Sequence, residues 1–161
     1  MTAAVLTVSD SASQGTRPDV SGPAVREALE QNGFRVVAAE VVCDELTSIE
    51  TAIVRLCGKA RLVITTGGTG IAERDVTPEA TQAVCERLVV GIAERMRSEG
   101  TRRTPFAALS RGLCGVRGRS LVLNLPGSPT AATESLAAVM DLLPHALELL
   151  DGKTEHDPPI S

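Results

Sequence analysis

The sequence predicts an α/β fold, a mostly parallel sheet covered on both faces by helices. Two observations predict it. Short apolar β-type runs alternate along the chain with segments whose apolar residues recur at helical spacing. One of those runs, RLVITT (Arg61–Thr66), is apolar enough to be a central strand. The 161 residues, 43% apolar and 22% charged, suffice for one domain with a full core.

Taken in order, AVLTVS (Ala4–Ser9) is the first strand. A polar loop, DSASQGTRPDVSG, leads to a helix over about Pro23–Asn32, closed by Gly33; Val25, Ala28 and Leu29 share one of its faces. FRVVAAEVV (Phe34–Val42) is the second strand, and Leu46, Ile49, Ile53 and Leu56 mark an amphipathic helix ending near Gly58. After the third strand, Arg61–Thr66, Thr77 and Pro78 have the form of an N-cap followed by proline at the first helical position, with the helix running to about Leu88. GIAERMRSEG is a further helical piece, and a short one begins at Thr104-Pro105. GRSLVLNLPG holds the last strand, with LCGVRG as its short partner. Ser128-Pro129 opens a final helix whose stripe is Leu136, Val139, Met140, Leu143, Leu147 and Leu150, kinked at Pro144. Residues 1–152 are expected to form the single domain, and 153–161 a polar, proline-rich tail.

Composition excludes several functions. Phe34 and Phe106 are the only aromatic residues, and the net charge is −4, so neither base stacking nor general phosphate-backbone binding is expected. The start lacks the basic and apolar regions of a signal peptide, and no apolar run reaches the about 20 residues of a membrane span. Cys43, Cys57, Cys85 and Cys114 are widely spaced without a Cys-x-x-Cys pair, which argues against zinc and for reduced, buried thiols. The expected compartment is the cytoplasm, with no nucleic-acid or membrane partner.

The chemistry is expected at the carboxyl edge of the strands, where α/β sheets bind ligands. Three glycine-bearing loops leave strands there: SDSASQG, TTGGTG and LPGSP. Gly67, Gly68 and Gly70 allow a ligand close to the backbone, while Thr65, Thr66 and Thr69 add hydroxyls. The pattern fits a phosphate cradle, although neither a P-loop nor a dinucleotide fingerprint is present. Asp75, five residues past the last of these glycines, would repel phosphates unless a cation sat between, and Mg²⁺ is the usual cation. Asp44 is the second carboxylate at the same edge, with the N-cap of the 46–57 helix as its plainer role. Asp10 suits a turn or a ligand contact, Arg74 a phosphate or a surface partner, and Arg111 beside Ser110 a helix-end partner or a substrate hook. Ser128 is at least a helix N-cap and a second place for an anion.

These stretches, LTVSDSASQGTRPDVSG, VVCDE, VITTGGTGIAERDVTPEAT, ERMRSEGTRRTPFAALSRG and LVLNLPGSPTAATESL, resemble the molybdopterin adenylyltransferase family, the MogA/MoaB branch of molybdenum-cofactor biosynthesis proteins. The resemblance covers nearly the whole chain, and TTGGTG followed by RDVTPEAT is its most specific part. It implies a three-layer α/β/α sandwich of the molybdopterin-binding type. It also implies transfer of AMP from ATP to molybdopterin, with pyrophosphate released. By position, Asp75 and Asp44 match the carboxylates tied to Mg²⁺ and catalysis. Thr66, Gly67, Gly68, Thr69 and Gly70 match the nucleotide-phosphate loop, and Ser9 and Asp10 the first ligand loop. Ser110, Arg111, Pro126, Gly127 and Ser128 match segments lining the rest of the pocket. Cys43 stands where relatives often carry proline. The resemblance further implies a homotrimer or hexamer and transient contact with molybdopterin synthase and a molybdenum insertase. The alternatives are a molybdopterin carrier of the same fold with little turnover, the insertase itself, whose chains are usually much longer, and an unrelated α/β nucleotide-binding module with another substrate.

Overall fold

The computed structural model describes residues 1–154. The expected tail falls mostly on residues outside that range. Four strands run parallel: β1 (Thr2–Val8), β2 (Arg35–Val42), β3 (Leu62–Thr66) and β6 (Ser120–Leu125). With β5 (Cys114–Arg117) and β4 (Arg87–Leu88) added antiparallel at one side, the order is β2-β1-β3-β6-β5-β4. β3 is central and every residue of it is buried, as its apolar sequence predicts. β2 is an edge strand with alternating exposure, which suits an edge covered on one face only.

The period-two geometry of β1 divides the core. Ala3 and Val5 face one layer, with Val25 and Leu29 of α2 (Ser21–Gln31), Ile92 and Met96 of α5 (Val90–Thr101), Leu136 of α6 (Pro129–Val139) and Leu147 of α7 (Leu143–Leu150). Ala4, Leu6 and Val8 face the other, with Ile49, Ile53 and Leu56 of α3 (Leu46–Cys57) and Ala80 of α4 (Thr77–Val84). The result is a three-layer α/β/α sandwich with a mostly parallel sheet.

Four details differ from the sequence expectation. Asp10–Ser13 is a short helix, α1, where a loop is expected, because the Ser9 side chain caps it by accepting from the Ala12 N–H at 3.2 Å. The helix from Thr77 stops at Val84: Cys85 is extended, and Arg87 and Leu88 pair with Val116 and Gly115 at the sheet edge. The final helix is two helices, α6 and α7, rather than one kinked rod. Pro144, in the first turn of α7, has no N–H to continue the α6 ladder. Thr77 is the first residue of α4 rather than its cap, and its buried hydroxyl donates to the Gly67 carbonyl at 2.9 Å.

Candidate functional site

Because β2, β1, β3 and β6 are parallel, the loops after all four open at one edge. Hydrogen bonds onto main-chain carbonyls hold two of them together there. The Gly67 N–H donates to the Leu125 carbonyl at 3.0 Å, and the Thr66 hydroxyl to the Pro126 carbonyl at 2.7 Å. TTGGTG and LPGSP therefore touch. Gly67 has φ +104°, and a Cβ on it would lie 2.2 Å from the Val8 carbonyl oxygen; at Gly68, φ +68°, a Cβ would meet the Thr77 hydroxyl at 2.3 Å and Asp44 Oδ1 at 3.2 Å. No side chain fits at either position. The cradle geometry demands bare backbone.

Two cavities open onto this edge. The larger, about 620 Å³, is lined by Thr69, Gly70, Ser110 and Pro126 together with Met96, Arg97, Arg103 and Phe106. The smaller, about 580 Å³, is lined by Ser9, Asp44, Thr66, Gly67 and Ser128, with Arg17 and Asp19. Gly68, Asp75 and Gly127 line both. Asp75 is half-buried, and its Oδ2 accepts from the Ala72 N–H at 3.0 Å.

Asp44 does not cap α3, whose N-cap is Glu45 without a side-chain bond. Instead it exchanges hydrogen bonds with Asp10: the Asp10 N–H donates to Asp44 Oδ2 at 2.9 Å, and the Asp44 N–H donates to Asp10 Oδ1 at 3.0 Å. Arg74 closes the group by donating from Nε to Asp10 Oδ2 at 2.6 Å and from Nη2 to Oδ1 at 2.9 Å. Arg74 thus takes the surface-partner role. Burial pushes the Asp44 carboxyl above the ordinary range; the Asp10 N–H opposes the shift, while the charges of Asp10 and Asp75 add to it. Asp10 is held low by Arg74 and by the Asp44 N–H.

Of the residues expected at the site, twelve line a cavity; Asp10 and Arg111 line neither. Asp10 serves Asp44. The Arg111 guanidinium is engaged with the Gly70 and Asp75 carbonyls and with Glu79, rather than with the end of its own helical turn. Ser128 does cap α6, accepting from the Ala131 N–H at 3.1 Å. Sequence reasoning missed Arg17, Arg97, Arg103 and Phe106. Phe106 carried a signal, since an apolar ring at a Thr-Pro turn between charged stretches has no helical stripe to join; it is 75% exposed. The arginines carried none.

Residues 4–145 match the family of probable molybdopterin binding domains. A curated Helicobacter pylori protein, molybdopterin adenylyltransferase, is 41% identical over 92% of this chain and 86% of its own length. The Drosophila melanogaster molybdenum cofactor synthesis protein cinnamon is 40% identical over 93% of this chain, but the match spans only 26% of that longer protein. Among solved structures, the molybdopterin biosynthesis enzyme MoaB of Thermus thermophilus superposes with TM-score 0.89 at 51% identity, covering 94% of this chain and 97% of that one. The sequence and fold comparisons agree, and this chain belongs to the family of probable molybdopterin binding domains.

Proposed function

We propose that this chain is a molybdopterin adenylyltransferase, transferring AMP from ATP to the terminal phosphate of molybdopterin and releasing pyrophosphate. One observation carries the reading. Two cavities, each of a size that holds small molecules, meet over a shared wall of Gly68, Asp75 and Gly127. A reaction between two phosphorylated molecules needs such a junction. The Helicobacter pylori relative named for this activity supports it across most of both chains.

In the transfer, a phosphate oxygen of molybdopterin attacks the α-phosphorus of ATP, and the bond from that phosphorus to the departing pyrophosphate breaks on the opposite side. Little covalent work falls to the protein, so placement and charge decide the rate. Gly67, Gly68 and Gly127 bring main chain rather than side chains to the junction, and the N-terminus of α6, capped by Ser128, directs the positive end of a helix dipole toward the smaller cavity. Arg17 on the wall of the smaller cavity and Arg97 on that of the larger add cationic donors, while Arg103 is paired with Glu134 of the same wall.

Asp44 and Asp75 would hold Mg²⁺. Burial, with the charges of Asp10 and Asp75 adding to it, raises the Asp44 carboxyl, and a bound cation would offset that cost of its charge. Among the described residues no three His, Cys, Asp or Glu side chains gather as a metal site, so two carboxylates would share the ion with phosphate oxygens and water, as is usual for Mg²⁺. Bound there, the ion would neutralise charge on the phosphate oxygens. We place the protein in the cytoplasm as a homotrimer or hexamer that meets molybdopterin synthase and a molybdenum insertase transiently. Ile71, Phe106 and Leu109, all well exposed, are apolar surface that such contacts would cover.

The test is pyrophosphate release from ATP and molybdopterin, with and without Mg²⁺. The Asp75→Asn variant is expected to fold normally and lose at least about 100-fold in turnover. Parental turnover in that variant would remove the metal role, and tight molybdopterin binding without any release by the parent would make the protein a carrier.

A further inference from the structure

We infer that Arg111 is a positioning residue that staples the 70–75 loop shut and so fixes Asp75 at the junction of the two cavities. Its Nε donates to the Gly70 carbonyl at 2.7 Å and its Nη2 to the Asp75 carbonyl at 2.7 Å, the two ends of the loop. Nη1 pairs with Glu79 in the first turn of α4, and the Arg111 N–H donates to the Thr69 carbonyl at 2.8 Å. Residues 71–74 between those ends are all exposed, so core packing does not set the loop's shape. Its other ties are the Asp75 N–H to the Ala72 carbonyl and the Ala72 N–H to Asp75 Oδ2, both 3.0 Å, and the exposed pair of Arg74 with Asp10, which Arg111→Lys leaves in place. A planar guanidinium with donors in a fixed fork can bridge three acceptors at once; a lysine ammonium cannot do so in the same plane. Arg111 also adjoins Ser110 in the wall of the larger cavity, so one residue ties that wall to the main chain of Asp75, which both cavities share.

The inference rests on the proposed role of Asp75, and the test separates the two. The Arg111→Lys variant is digested with trypsin under native conditions, and the fragment ending at Arg74 is followed by mass spectrometry. Cleavage after Arg74 is expected to accelerate about tenfold while other Lys and Arg sites keep their parental rates. In pyrophosphate release, kcat is expected to fall about 100-fold with KM for ATP within about twofold of the parent, the signature of misplacement rather than lost binding. Parental cleavage after Arg74 overturns the inference, and so does acceleration at every site together, which marks Arg111 as a general stability residue. Should Asp75→Asn keep parental turnover while Arg111→Lys still exposes Arg74, the staple stands and the reading of Asp75 falls.

Discussion

Asp44 illustrates how a single residue trades stability for chemistry. Its carboxyl ionises at higher pH in the folded chain than in the unfolded one, first because it is buried and further because Asp10 and Asp75 repel its charge. The sign follows from linkage: Asp44 favours the folded state at pH below the ordinary carboxylate range, and that advantage is lost as pH rises through its raised value. At neutral pH the charge is a burden. Asp44→Asn is therefore expected to raise the melting temperature at pH 7 while abolishing turnover, and to lose that thermal advantage at pH 4; calorimetry at both pH values checks it. Gly68 is the opposite case. Alanine there must hold φ near +68° with its methyl 2.3 Å from the Thr77 hydroxyl, so Gly68→Ala is expected to lose about 1–3 kcal/mol in urea unfolding. Both residues border the same junction.

Elements carry the site by being tied to one another, and Asn124 on β6 makes the central tie. Its Nδ2 donates to the Thr65 hydroxyl of β3 at 2.9 Å and the Thr81 hydroxyl of α4 at 2.8 Å, while its Oδ1 accepts from the Leu113 N–H at 3.0 Å. Asn124→Ala leaves the Leu113 N–H and two hydroxyls without this partner. Each orphaned group costs about 1–3 kcal/mol, and chemical denaturation of the variant measures the sum. Nothing in the run SLVLNL announced this network, since a polar residue in an apolar strand does not name its partner. What the sequence did make legible was local. Alternation of apolar runs and helical stripes located β1, β2, β3, β6, α2 and α3 within a few residues, because periodicity is set by the chain itself. β4 was hidden because two exposed residues have no period, and α1 because its four residues depend on one cap. The carboxylates and glycines of the site were visible by type and position. The partnerships Asp10 with Arg74 and Arg111 with Gly70 span 64 and 41 residues, and no local pattern encodes them.

At the scale of the molecule, burial reaches the thiols. It pushes Cys57 and Cys85 up to about 11 and Cys114 up to about 12, and all three are free cysteines. Neutral thiols suit this interior, so the stability they lend is present below the ordinary thiol range and is lost as pH climbs toward those raised values. Unfolding midpoints in urea are expected to fall above pH 9, and thiol-reactive dyes at pH 8 should label the half-buried Cys57 and Cys85 slowly and the buried Cys114 only when urea opens the fold. The sheet they support ends in a partition that is thin. A Cβ on Gly127 would lie 3.4 Å from the Gly67 Cα, so between the two hollows stands little more than peptide backbone. A compound with one arm in each hollow, joined across that saddle, would give up its freedom of movement only once and would outcompete either arm alone by orders of magnitude.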